Sequence, residues 1–178
     1  RGTSDVFVAD SLSLQRHIKR DSSAVFAEGE KPNVVIILME SMSAKLMRHF
    51  GCDVTMTPFL DSLWNESLSF DNFYSVGNHT NQGIYSTLYG FPTVLSRNAM
   101  KGTDIPTYYG MPNVFAEKGY STSFYMTHES QYDNMNAFLR TNGFKHIRSQ
   151  EDYPGDSIVN SFGVSDGFLF NYALNELK

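Results

Sequence analysis

Polar residues dominate positions 1–31, with weak periodicity and room for one short helix around Ser11–Lys19. The pattern changes at Pro32. Asn33-Val34-Val35-Ile36-Ile37-Leu38-Met39 is a short, continuous apolar run rich in β-branched residues, and such a run predicts a central strand buried on both faces. It breaks off into polar Glu40-Ser41-Met42-Ser43. Thr57-Pro58 offers a helix cap followed by proline, and Leu60, Leu63 and Trp64 share one face of the helix predicted over 58–66. Residues 68–76 alternate, with Phe70, Phe73 and Val76 as the bulky positions, and predict a second strand. Gly77-Asn78-His79-Thr80 is a turn, and 81–89 a helix stopped by Gly90.

Residues 90–111 form a long loop containing Pro92, Gly102, Pro106 and Gly110, and long loops in compact domains are often functional. A helix over 112–118 ends at Gly119, and 120–127 predicts a strand. A helix over 131–141 closes at Asn142-Gly143, with a short strand over 144–148. The last segment, 164–178, is helical with Phe170, Leu174 and Leu177 in one stripe. Strands alternating with helices predict an α/β domain with a mostly parallel sheet. The organisation expected is an approach segment over 1–31 and one domain over 32–178.

Composition narrows the classes of partner. The 178 residues carry 14 basic and 19 acidic side chains, a net charge of −5, with no basic run to follow a nucleic-acid backbone. No stretch approaches the roughly 18 apolar residues of a membrane span. The chain opens RGTSDVF, so it is expected to be a piece of something longer. Cys52 is the sole cysteine, which excludes an internal disulfide and a cysteine-built metal site.

Open parallel sheets bind ligands outside the carboxyl ends of their strands. Glu40 closes the first predicted strand, and Thr80 follows the second at the mouth of a helix. There a hydroxyl faces unpaired backbone N–H groups and the positive end of the helix dipole, a setting suited to a phosphoryl oxygen. Threonine needs a base or a metal to act as a nucleophile. Taken singly, Glu40 also fits an exposed strand-end carboxylate, and Thr80 an ordinary helix cap.

The segments NVVIILMES, TPFLDSL and SFDNFYSVGNHTNQGIYSTLYG, followed in order by KGYSTSFYMTH and YDNMNAFL…NGF, resemble the lipoteichoic-acid-synthase-like branch of the alkaline phosphatase and sulfatase superfamily. The resemblance covers 32–178 and implies part of an α/β/α sandwich. It implies metal-dependent transfer of a phospho-group, of phosphoglycerol or phosphoethanolamine type, from a lipid donor to an envelope glycan or polymer. By this resemblance Thr80 is the nucleophile, and Glu40 and Thr80 are ligands of a divalent metal ion (Mn, Mg or Zn). His128 and Asn134 fall in the polar block that meets the head group. The same resemblance implies a bacterial enzyme held at the cell membrane by parts outside this chain, with its catalytic domain on the extracytoplasmic side.

Two departures matter. The Trp and Arg pair that grips phosphoglycerol in such enzymes is absent; Asp133 and Met135 stand near those positions. The superfamily's Asp-His pair and further His have no counterpart here, and two protein ligands do not complete a metal shell, so the isolated chain is expected to be inactive. The rival readings are a sulfuric ester hydrolase and a degenerate, non-catalytic domain that binds a glycan or a partner protein. Sulfatases use a Cys or Ser in a Cys/Ser-x-Pro-x-Arg setting, whereas this chain has Thr80-Asn81-Gln82-Gly83-Ile84. The stripe Phe170, Leu174, Leu177 is expected to draw the isolated chain into self-association.

Overall fold

The computed structural model describes residues 31–92 and 98–177. The chain divides into two compact units, Arg1–Ile37 and Leu38–Lys178. The helix expected around Ser11–Lys19 and most of the approach segment lie outside the described residues, as does Lys178.

The second unit begins with two single-turn 3-10 segments, Ala44–Leu46 and Arg48–Phe50, then helix α1, Pro58–Glu66. Helix α2 is Thr80–Tyr89 and α3 is Met111–Glu117. Strand β1, Ser123–Tyr125, pairs in parallel with β2, His146–Arg148, and α4, Met135–Thr141, makes the crossover between them. A short antiparallel hairpin of β3, Ile158–Asn160, and β4, Gly163–Val164, precedes α5, Asp166–Glu176.

The core forms where α2 and α4 cover the β1–β2 pair. In α4, Met135, Phe138 and Leu139 follow helical spacing and are 2 %, 0 % and 0 % exposed. They meet Ile84, Tyr85, Leu88 and Tyr89 of α2, together with Met100, Met126 and Ile147. Asn142, also wholly buried, anchors the long loop. Its Nδ2 donates to the carbonyls of Pro106 and Phe138 at 3.2 and 2.9 Å, and its Oδ1 accepts from the backbone N–H of Tyr108. Every buried polar atom of that amide is thereby satisfied, as burial requires.

Three expectations are corrected. Residues 33–39 and 68–76 are not strands, and neither joins a ladder among the described residues. Their apolar side chains are open: Val35 is 71 % and Phe73 83 % exposed. A strand exists only by hydrogen-bonding to neighbours, which a hydrophobic run cannot supply for itself. The helix expected over 131–141 is broken, because Asp133 and Asn134 adopt left-handed backbone at φ +52° and +62°. Finally, residues 158–164 hold a hairpin that the hydrophobic pattern did not predict. At its turn, Gly163 has φ +91°, and a Cβ there would lie within 2 Å of the Thr127 carbonyl oxygen.

The stripe on α5 stays open, with Phe170, Leu174 and Leu177 exposed by 47 %, 57 % and 56 %. The opposite face is packed: Phe168 and Tyr172 sit edge-on to Tyr153, and Glu176 pairs with Arg148 at 2.8 Å.

Candidate active site

Thr80 is the first residue of α2, and His79 is its cap. The turn before the helix is closed from inside. Gln82 is 3 % exposed and folds back, so that its Oε1 accepts from the backbone N–H of Asn78 at 2.9 Å and of His79 at 3.3 Å. Gly77, at φ +116°, lies so close that a Cβ would come 2.5 Å from that oxygen. The sequence Gly77-Asn78-His79-Thr80-Asn81-Gln82 thus builds its own turn and cap. The Thr80 hydroxyl is left out of the capping, contrary to the plain helix-cap reading.

That hydroxyl donates instead to Oε1 of Glu40, at 2.9 Å. Glu40 is exposed, in a turn whose next residue, Ser41, has φ +55°. The juxtaposition expected from strand ends is therefore present, though the segments before these residues are not strands. Two oxygens on adjacent vertices of an ion with bonds of 2.1–2.5 Å stand roughly 3 Å apart, so this pair suits one edge of a hard divalent cation's shell. Among the described residues, no group of three or more His, Cys, Asp or Glu gathers to complete such a shell. The pair fits a metal as part of a ligand set, and Glu40 and Thr80 are the residues that would hold it.

A second polar group adjoins Thr80. Asn81 donates from Nδ2 to Oδ2 of Asp133 at 2.9 Å, and the ammonium of Lys101 meets Oδ1 of Asp133 at 2.7 Å. Burial pushes the Asp133 carboxyl up. The hydrogen bonds from Lys101 and Asn81, with the charges of Lys101 and His79, outweigh this and hold it below the usual carboxylate range. Lys101 is correspondingly raised, first by its hydrogen bond to Asp133.

Of the expected head-group contacts, Asn134 donates from Nδ2 to the carbonyl of Met100 at 2.7 Å. His128 sets Nδ1 2.9 Å from the Glu129 carbonyl, with its ring 4.7 Å from that of Tyr132. Thr80 and Glu40 are brought together; Asn134 is tied to the Met100 segment beside Lys101. Asn81 and Lys101 escaped the sequence reading. The signal for the bend that reaches them was the dipeptide Asp133-Asn134, since Asp and Asn tolerate left-handed backbone best after glycine.

Comparison with known proteins finds relatives of this chain. A family model described as Sulfatase matches residues 32–178. A protein in the alkaline phosphatase superfamily from Vibrio parahaemolyticus is similar at 34 % identity and a TM-score of 0.61, over 66 % of this chain and 29 % of that one. The lipoteichoic acid synthase LtaP from Listeria monocytogenes shares the fold at 20 % identity and a TM-score of 0.63, over 69 % of this chain and 31 % of that one. The expected fold class is thereby found: an alkaline-phosphatase-superfamily α/β fold, of which this chain spans under a third of either solved relative.

Proposed function

Since the chain belongs to the sulfatase family, we propose that it contributes the nucleophile, Thr80, and one metal ligand, Glu40, to a domain that transfers a phospho-group. The observation that carries this reading is the 2.9 Å hydrogen bond from the Thr80 hydroxyl to Glu40, at the first turn of a helix. A divalent metal bound there lowers the cost of ionising the hydroxyl and offsets charge on the phosphoryl oxygens. The chain's own residues position the nucleophile. The closed turn 77–82 fixes the hydroxyl, and the first-turn N–H groups and dipole of α2 face an incoming anion.

In the reaction, Thr80 Oγ1 forms a bond to phosphorus as the bond to the departing lipid alcohol breaks. The Thr80 proton passes to solvent water, and the departing oxygen takes one from water. The acceptor hydroxyl of a glycan or polymer then attacks the same phosphorus as the bond from Thr80 Oγ1 breaks; its proton is lost to water and Thr80 Oγ1 regains one, restoring the hydroxyl. Phosphoglycerol- and phosphoethanolamine-type lipids are the donors this reading favours. It places the domain on the outer face of a bacterial membrane. No helix among the described residues is long and apolar enough to cross one.

Sulfate ester hydrolysis is the second reading, favoured by the description of the matching family. Threonine at position 80, in place of an oxidisable Cys or Ser, weighs against it. Cys52 offers no substitute, since its thiol donates to the Val54 carbonyl in a separate loop. The deciding experiment compares a p-nitrophenyl phosphodiester with p-nitrophenyl sulfate on the metal-loaded full-length protein. Phosphodiester turnover with a phospho-adduct on the peptide containing Thr80 supports the proposal; turnover of the sulfate alone overturns it.

A further inference from the structure

We propose that Asp133 is a positioning residue for Thr80: its carboxylate clamps the first turn of α2 through Asn81 and so fixes the nucleophile's hydroxyl against Glu40. The inference rests on the reading of Thr80 as nucleophile and adds a residue 53 positions further along the chain to the machinery.

Asn81 is the residue after Thr80, so whatever holds its side chain also holds the backbone of the helix start. Its Nδ2 is held by Asp133 Oδ2 at 2.9 Å. Asp133 reaches it from a point where the backbone departs from the helix that the sequence pattern predicts. Asp133 and Asn134 are successive non-glycine residues in left-handed conformation, a combination that persists only where the surroundings enforce it. Successive side chains on a helix diverge by roughly 100°. Here both side chains are spent on fixed neighbours: Asp133 on Asn81 and Lys101, and Asn134 on the Met100 carbonyl at 2.7 Å.

The clamp stands on rigid ground. Met135, Phe138 and Leu139 of α4 and Met100 are each 2 % exposed or less, so the helix that follows the bend and the segment that Asn134 binds are both set in the core. Lys101 completes the arrangement by pairing with the other oxygen of the carboxylate at 2.7 Å. A loose helix start displaces the attacking oxygen without touching substrate, and a displacement of about 1 Å costs on the order of 100-fold in rate.

The test uses the full-length, metal-loaded protein with bis(p-nitrophenyl) phosphate, and p-nitrophenyl sulfate in parallel. On whichever ester turns over, Asp133→Ala lowers kcat by roughly 100-fold with KM changed by less than about threefold. Asp133→Asn recovers most of the rate, because its amide oxygen still accepts from Asn81. Asn81→Ala matches Asp133→Ala, and the double variant is no worse than either. Hydrogen exchange over residues 78–84 supplies a reading independent of turnover: faster in Asp133→Ala, unchanged in Asp133→Asn. A full kcat in Asp133→Ala, additive losses, a KM effect that dominates, or unaltered exchange in Asp133→Ala each overturns the clamp. Thr80→Ala separates the two claims. If it is inactive while Asp133→Ala is normal, only the clamp fails; if it stays active, the nucleophile reading fails.

Discussion

Replacing Gln82 by Met removes the acceptor that closes the turn before Thr80 while keeping a buried chain of similar length. Two bonds to Oε1 are lost, from Asn78 N at 2.9 Å and His79 N at 3.3 Å. A net hydrogen bond contributes about 0.5–1.5 kcal/mol. The longer bond belongs at the low end, and both freed N–H groups belong to exposed residues, where water replaces the acceptor. The expected cost is therefore about 1–1.5 kcal/mol. Gln82→Ala loses the same bonds and also a buried methylene, which adds about 0.8 kcal/mol. Urea unfolding of the chain, followed by circular dichroism with a common slope, measures both. A Gln82→Met variant within about 0.3 kcal/mol of the parent, less than even one weak net bond, would refute the argument that this side chain closes the turn.

Three further outcomes follow from the packing, the charges and the open surface. Gly163→Ala forces a Cβ into the Thr127 carbonyl and strains φ +91°, and it breaks the 3.1 Å bond from Val164 N to that oxygen; unfolding should show a loss of at least about 2 kcal/mol, and a loss under about 0.5 kcal/mol would contradict the close approach. Asp133, held below the usual carboxylate range, contributes stability that is full above the ordinary carboxylate pKa and is lost as pH falls through its own lower value. Asp133→Asn should therefore flatten the acid limb of the stability-against-pH curve, and an unchanged limb would show that the lowered carboxyl contributes nothing. The open stripe of Phe170, Leu174 and Leu177 predicts that the isolated chain self-associates, seen as a light-scattering mass above the monomer that Leu174→Lys reduces. A monomer at high concentration ends that expectation.

Helices were the legible part of this sequence. The bounds of 58–66 coincide with α1, and α2 begins one residue earlier than expected, because apolar spacing and the stop at Gly90 are local signals. The strands expected over 33–39 and 68–76 are absent among the described residues. Their hydrophobicity is real, but pairing depends on partners the local pattern cannot name. The Asp133–Asn134 bend was hidden for a related reason: the spacing of Met135, Phe138 and Leu139 suits a helix that starts either at 131 or at 135. At the site, strand-end reasoning and the family resemblance both pointed to Glu40 and Thr80, which meet across 40 residues of sequence. Nothing local marks Asn81 and Asp133, 52 residues apart, as partners.

The central claim is that the Thr80 hydroxyl is the attacking group, and turnover of Thr80→Ala in the full-length, metal-loaded protein tests it most directly. The hydroxyl makes one hydrogen bond, to an exposed carboxylate, and caps nothing, so its removal should cost little stability, about 1 kcal/mol or less. The account predicts a protein that unfolds near the parent midpoint and has no measurable turnover on the phosphodiester, while Thr80→Ser, which keeps the hydroxyl, retains part of the rate. Near-normal turnover by a folded Thr80→Ala protein would contradict it.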